Sequence, residues 1–291
     1  MRLAKPPSSP PLSAAVFFVV LLSALLHAGW NALIKERADR FFSISLLGVA
    51  QGLVALAALP FVETPSGATW IWIIASAALH TGYKLLLIRA YTAGDLGQVY
   101  PLARGAAPLL STLVALVVLG ETMGPFLWAG VLTLSFGIGL MSVKGGGDLG
   151  RLDRKAVLSA LATSVFIAGY TIVDALGARG AASPGSYIAW MFVFDGLTIA
   201  LVYAGVRRGK ALAVARELPF GLMAAMMSLG AYWLVIWSMT KAPIGAVAAL
   251  RESSILFALV LSVVFLKERP SRWRLLSAAI ILLGVGLMRL D

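Results

Sequence analysis

Ten stretches of this chain, at about 13–34, 41–62, 69–90, 97–119, 125–143, 155–176, 187–206, 217–240, 243–266 and 272–289, are built mainly of Leu, Ala, Val and Ile. Each is close to the roughly 20 residues that a helix needs to cross a hydrocarbon core. The strands of a membrane barrel would instead alternate apolar and polar residues over about ten positions. Where water cannot satisfy the backbone, a helical bundle is the only other spanning solution. The chain is 60% hydrophobic and 13% charged, with a mean hydropathy of +0.91, against about 25% charge in a soluble domain. It is therefore predicted to be an all-α integral membrane protein of ten transmembrane helices, with the lipid bilayer as its solvent.

The end of the first half is written again in the second, 147 residues later. Placing Glu121 over Glu268 superposes Arg104 on Arg251, Leu119 on Leu266, and Gly137-Ile138-Gly139-Leu140-Met141 on Gly284-Val285-Gly286-Leu287-Met288. Five helices per half is an odd number, so the halves are expected to lie in opposite orientations as two inverted repeats around a central cavity. The resulting division is a polar, Pro-rich tail at 1–11, a first repeat at 12–143, a linker at 144–154 and a second repeat at 155–291. The first apolar run is too long for a signal-peptide core and has no A-x-A cleavage site. Membrane transporters are commonly built from paired repeats that hold substrate where they meet.

A net charge of +11 could mark a nucleic-acid partner in a soluble chain, but most of these cations sit in short loops. The loops after the odd-numbered helices hold Lys35, Arg37, Arg40, Arg89, Lys144, Arg151, Arg154, Lys155, Arg207, Arg208, Lys210, Arg216, Lys267, Arg269, Arg272 and Arg274. The opposite side, with both termini, holds only Arg2, Lys5, Arg179, Lys241 and Arg289. Positive-inside bias then places the odd loops in the cytoplasm and both termini outside. Cysteine is absent, which excludes disulfides and thiol chemistry.

An ionisable residue at the centre of a spanning helix costs roughly 2.5–3.5 kcal/mol on insertion, so each requires a reason. Lys84, Arg104, Asp174, Asp195, Arg251 and Glu252 fall inside the predicted spans. The first five helices contain no carboxylate, so Lys84 and Arg104 must pair with the other half or with a ligand. Asp174, near the predicted end of its helix, could instead face headgroups. On the third helix His80, Lys84 and Tyr91 share one face with Tyr83 beside it. The fourth carries Tyr100 and Arg104 with Pro101 and Pro108, and the first carries His27, Trp30 and Asn31. Tyr170, Tyr232, Trp233 and Trp237 add aromatic surface, while Arg251, Glu252, Ser253 and Ser254 deny the ninth helix a clean apolar face. Trp70, Trp72, Trp128 and Trp273 are assigned to the interfacial belt. The paired glycines of the fifth and tenth helices would permit close packing. Mutual pairing of the charges and lining of a binding cavity are the two readings.

No P-loop, G-x-S-x-G or H-E-x-x-H pattern occurs, so no catalytic residue, metal or cofactor is expected. An enzyme acting on a lipid-linked substrate would need a cluster of acids or metal ligands. A channel would need a selectivity ring.

With each half ending in Gly120-Glu121 or Lys267-Glu268 ahead of a Gly-rich last helix, the whole chain resembles the EamA branch of the drug/metabolite transporter superfamily. The resemblance implies a basket of inverted repeats exporting small molecules by alternating access. Through His80, Tyr83 and Tyr100 it is similar to the YddG-like aromatic amino-acid and paraquat exporters, in which these would be cavity-lining positions. The expected protein is a monomeric inner-membrane exporter of amino acids or related metabolites, aromatic ones first. Cationic drugs, sugars and nucleotide derivatives are the alternatives. The substrate-binding set is His27, Trp30, Asn31, His80, Tyr83, Lys84, Tyr100, Arg104, Tyr170, Trp237, Arg251, Glu252 and Ser253, with Lys84 or Arg104 meeting the carboxylate. Proton coupling, if present, would fall to Asp174, Asp195 or Glu252.

Overall fold

The computed structural model describes residues 12–35, 39–93, 96–144, 154–207, 211–265, 267 and 269–291. The tail at 1–11, nearly all of the linker, Leu266 and Glu268 lie outside these, as do the side chains of Tyr91, Tyr100 and Pro101 and most of the loop cations. The described residues form helices α1 (Ala14–Lys35), α2 (Arg40–Ala58), α3 (Thr69–Ala93), α4 (Leu96–Val117), α5 (Pro125–Lys144), α6 (Arg154–Gly180), α7 (Pro184–Val206), α8 (Ala211–Met239), α9 (Ile244–Arg251), α10 (Ser254–Val264) and α11 (Arg272–Leu287). No strand occurs among them.

Among the described residues, eight segments are long and apolar enough to cross a membrane: α1, α2, α3, α5, α6, α7, α8 and the run through α9 and α10. Helix α4 is 22 residues long and α11 is 16. The predicted boundaries largely coincide with helices. Large apolar side chains such as Phe18, Leu22, Phe136, Leu201 and Leu282 face outward along the bundle. In water such a surface would aggregate, and in lipid it needs no cover. The chain is a multi-pass membrane protein.

Local chemistry sets the helix ends. Asp39 caps α2 by accepting from the Phe42 amide, and Ser271 caps α11 by accepting from Arg274. At the end of α4 the Gly120 amide donates to the Leu116 carbonyl, the bond of an αL cap, and the Glu121 amide donates to the Ala115 carbonyl. This turn needs a left-handed residue, and Gly120 supplies it at φ +67°. Lys267, which stands where Gly120 does in the repeat, is also left-handed, at φ +53°. Helix α8 begins six residues before the predicted position and carries Pro219 within it.

Three differences from the predicted elements matter for the site. Helix α6 runs to Gly180, six residues past Asp174, and Asp174 faces the protein interior with an exposure of 0% rather than outward. The predicted ninth helix is not continuous. Between α9 and α10, Glu252 and Ser253 form a tight turn in which amides 252, 253, 255 and 256 each donate to the carbonyl three residues back. Such 3₁₀ geometry inside a helix marks a hinge or a local strain. The glycine motifs also divide. A Cβ on Gly284 would stand 2.7 Å from the Leu134 amide nitrogen, and one on Gly137 would stand 2.8 Å from Ile281, so these two permit the α5–α11 contact. A Cβ on Gly139 or on Gly286 would meet nothing within 4 Å.

Helix packing interleaves the two halves. Helix α3 lies on α6 and α1 on α8; α2 lies on α7, α4 on α9, and α5 on α11. The α2–α7 crossing is the tightest kind of backbone approach, with a Cβ on Gly196 falling 2.7 Å from the Gly52 Cα. Asp39 pairs with Arg207 at 2.9 Å, and Lys144 lies 5.6 Å over the Trp273 ring. These contacts bring the α1–α2 loop to the end of α7, and the end of α5 to the start of α11.

Candidate functional site

Charged residues inside the bundle pair across the two halves. Lys84 on α3 donates to Asp195 on α7 at 2.6 Å, and the Arg104 Nε on α4 donates to the Glu252 Oε2 at 2.7 Å. All four are buried. The Arg251 Nη2 reaches the other oxygen of Glu252 at only 3.5 Å, the limit of a hydrogen bond. Two guanidiniums thus share one carboxylate at the α9–α10 break. Breaking a buried pair typically costs about 3–5 kcal/mol, so these contacts also hold the halves in register.

Asp174 is the second focus. The His80 Nε2 lies 3.1 Å from its Oδ2, the Tyr187 hydroxyl donates to Oδ1 at 2.7 Å, and the Tyr232 hydroxyl donates to Oδ2. Two phenols and an imidazole, from α7, α8 and α3, converge on one carboxylate of α6. The His80 ring stacks on Tyr170 at 4.1 Å and 19°, and Tyr232 meets His80 edge-on at 5.4 Å. Tyr83 packs edge-on against Tyr170 at 5.6 Å. The result is an aromatic group joining α3, α6 and α8. Arg251 lies within electrostatic reach of Tyr170 and Tyr232, which links this group to the charged centre.

His27 lies within electrostatic reach of both Arg104 and Arg251, and its ring meets Trp30 edge-on at 5.1 Å. Its Nε2, the Trp30 Nε1, the Arg251 Nε and the Ser253 Oγ are buried without a hydrogen-bond partner among the described residues.

The predicted site residues therefore separate. His80, Tyr83, Tyr170, Arg104, Arg251, Glu252, Ser253, His27 and Trp30 gather in the charged and aromatic centre. Lys84 belongs to its own pair with Asp195. Asn31 donates to the His27 carbonyl one turn back in its own helix, which ties its amide to α1 rather than to the centre. Trp237 packs against the large apolar core beside Val235 and Met239. The side chain of Tyr100 lies outside the described residues. Trp70 and Trp72, assigned to the belt, pack against a buried cluster with Tyr187 and Met191. Tyr187 and Tyr232 were missing from the predicted set. Tyr187 sits at the predicted start of its helix, where an aromatic residue reads as a belt residue, and nothing in the sequence points its hydroxyl at Asp174.

A second buried network lies toward the end of the bundle that carries the α4–α5 turn. Arg179 donates to Glu121 at 2.6 Å and to the carbonyls of Met239 and Ala242 at 2.8 and 3.1 Å. The second oxygen of Glu121 accepts from the Ile244 amide at 2.8 Å. The carboxylate thereby caps the positive end of α9, where an anion is favoured.

Among the described residues no group of acids and histidines could hold a metal ion. Residues 154–290 match the model of the EamA-like transporter family. One solved crystal structure shares the fold with a TM-score of 0.72 at 19% identity, and the match covers 94% of this chain and 96% of the other. None of the curated proteins matches the sequence.

Proposed function

We propose that the chain is a membrane transporter that exports amino acids or related small metabolites, aromatic amino acids first, by alternating access. The observation that carries this reading is the buried centre where both halves meet. There, two guanidiniums share the Glu252 carboxylate within electrostatic reach of the aromatic group of His80, Tyr83, Tyr170 and Tyr232. A carboxylate is drawn to the first feature, and an aromatic side chain packs on the second with offset or edge-on geometry.

Three further observations support it. The second half matches a transporter family, and the fold is shared over nearly the full length of a solved structure. Exchanging the halves turns the α3–α6 contact into α8–α1 and returns α2–α7 and α5–α11 to themselves, the pattern of two duplicated halves related by a two-fold exchange. In such an arrangement the two halves rock about a fixed site, and the inter-halves ion pairs are the contacts that each cycle must break and remake.

Counterflow of labelled phenylalanine, tryptophan and threonine in liposomes holding the purified protein tests the reading. Uptake of the aromatic pair above threonine, lost when His80→Ala and Tyr83→Ala are combined at normal expression, is the expected result. Flux of none of the three removes the amino-acid assignment. Flux of a lipophilic cation in its place would favour the drug-export alternative, since aromatic faces also attract cations.

A further inference from the structure

We propose that Arg251, together with Ser253 and His27, forms an anion subsite that takes the carboxylate of the transported molecule, with Glu252 as its competing internal ligand. The proposal rests on the transport reading above and names the group that the site recognises.

Lys84 is held at 2.6 Å by Asp195, and the Arg104 Nε at 2.7 Å by Glu252. Each already holds a carboxylate through a short bond, which Arg251 does not. Arg251 is 4% exposed and has only the 3.5 Å contact to Glu252, while its Nε has no partner among the described residues. A guanidinium has five donors in a fork that fits a carboxylate with two parallel bonds. Taking such a group out of water costs several kcal/mol unless anions or acceptors surround it. A second carboxylate at this point would supply that compensation.

The neighbours match the same ligand. Ser253, 1% exposed, has an unused hydroxyl two residues on, in the tight turn between α9 and α10. His27 brings an unused ring nitrogen from α1, which packs on both α9 and α10. A guanidinium, a hydroxyl and an imidazole are together donors enough for one carboxylate. Tyr170 and Tyr232 lie within electrostatic reach of Arg251, so an aromatic side chain attached to that carboxylate would extend toward the aromatic group. A carboxylate arriving at Arg251 competes with Glu252, whose 2.7 Å bond crosses from the α9–α10 break to Arg104 on α4. Substrate occupancy is thereby coupled to the contact between halves.

Thermal shift of the purified protein in detergent, titrated with phenylalanine, phenylacetate, phenylalaninamide and phenethylamine, isolates the carboxylate. The two acids are expected to raise Tm, and the amide and the amine to do so only at tenfold or greater concentration. Arg251→Gln should abolish the response to the acids, Arg251→Lys should weaken it several-fold, and Ser253→Ala and His27→Gln should each weaken it a few-fold. The ligand series on the unaltered chain decides the matter even if an Arg251 variant fails to fold. Binding of the amide as tightly as the acid, or an unchanged response in folded Arg251→Gln, overturns the subsite. So does failure of both acids on the unaltered chain. Binding of phenylacetate without phenylalanine keeps the subsite and removes the amino-acid reading.

Discussion

Glu121 with Arg179, and Glu252 with Arg104 and Arg251, are both buried charge clusters bridging the two halves, yet they are finished to different degrees. At Glu121 each oxygen has a short partner, and Arg179 spends its remaining donors on two carbonyls at the end of α8. At Glu252 one guanidinium is bonded at 2.7 Å, while the other reaches 3.5 Å with its Nε unused. A saturated cluster is a strap that a ligand cannot improve. An unsaturated one, in a place that excludes water, is where a ligand lowers the free energy most. The same residue types thus do different work: Arg179 is 26% exposed and bonded three ways, whereas Arg251 is 4% exposed with one long contact.

The sharpest attempt to break this comparison is Glu121→Ala. It strands the Arg179 guanidinium and the Ile244 amide together, and a loss of about 3 kcal/mol of stability is expected. Thermal melting in detergent reads it, and a loss under about 1 kcal/mol would mean the strap holds nothing.

Asp174→Asn comes next. It keeps the shape but weakens three hydrogen bonds made to a carboxylate, for a loss of about 2 kcal/mol in the same assay. A melt indistinguishable from the parent would show that the three donors find other partners.

Two smaller effects sharpen the contrast. Lys267→Gly removes a left-handed non-glycine residue at the position where the first half already has Gly120, and a gain of about 0.5–1 kcal/mol is expected. A loss would show that the Lys267 side chain, not the turn, matters there. Arg251→Gln should change the stability of the ligand-free protein by less than about 1 kcal/mol, because it leaves the Arg104–Glu252 bond intact and removes a poorly compensated buried charge. A collapse comparable to that of Glu121→Ala would put both clusters in the same structural class.

Much of the architecture was legible from the chain. Apolar length alone placed helices within a few residues of most observed ends, because in lipid each segment must satisfy its own backbone. The period of 147 residues aligned Gly120 with Lys267, and the left-handed backbone that both adopt was visible only in the structure. That Lys84 and Arg104 must pair with the other half or with a ligand also followed from the sequence, since the first five helices have no carboxylate, and both are paired with the other half. The Glu252–Ser253 break was foreshadowed only by a run of polar residues, whose composition does not say where a helix changes pitch. The depth of Asp174 was misjudged because its helix continues four residues past the predicted end.

What the sequence by itself determined is the class of the molecule: apolar helices of membrane length, a duplicated plan and a small set of charges that must be buried. Those properties depend on composition and spacing along one chain. Which cation meets which carboxylate, which tyrosines face Asp174, and which guanidinium is left with donors to spare were decided only by the tertiary structure. Each depends on the rotation of one helix against another, and a helix of nearly uniform apolarity does not encode that rotation in its own periodicity.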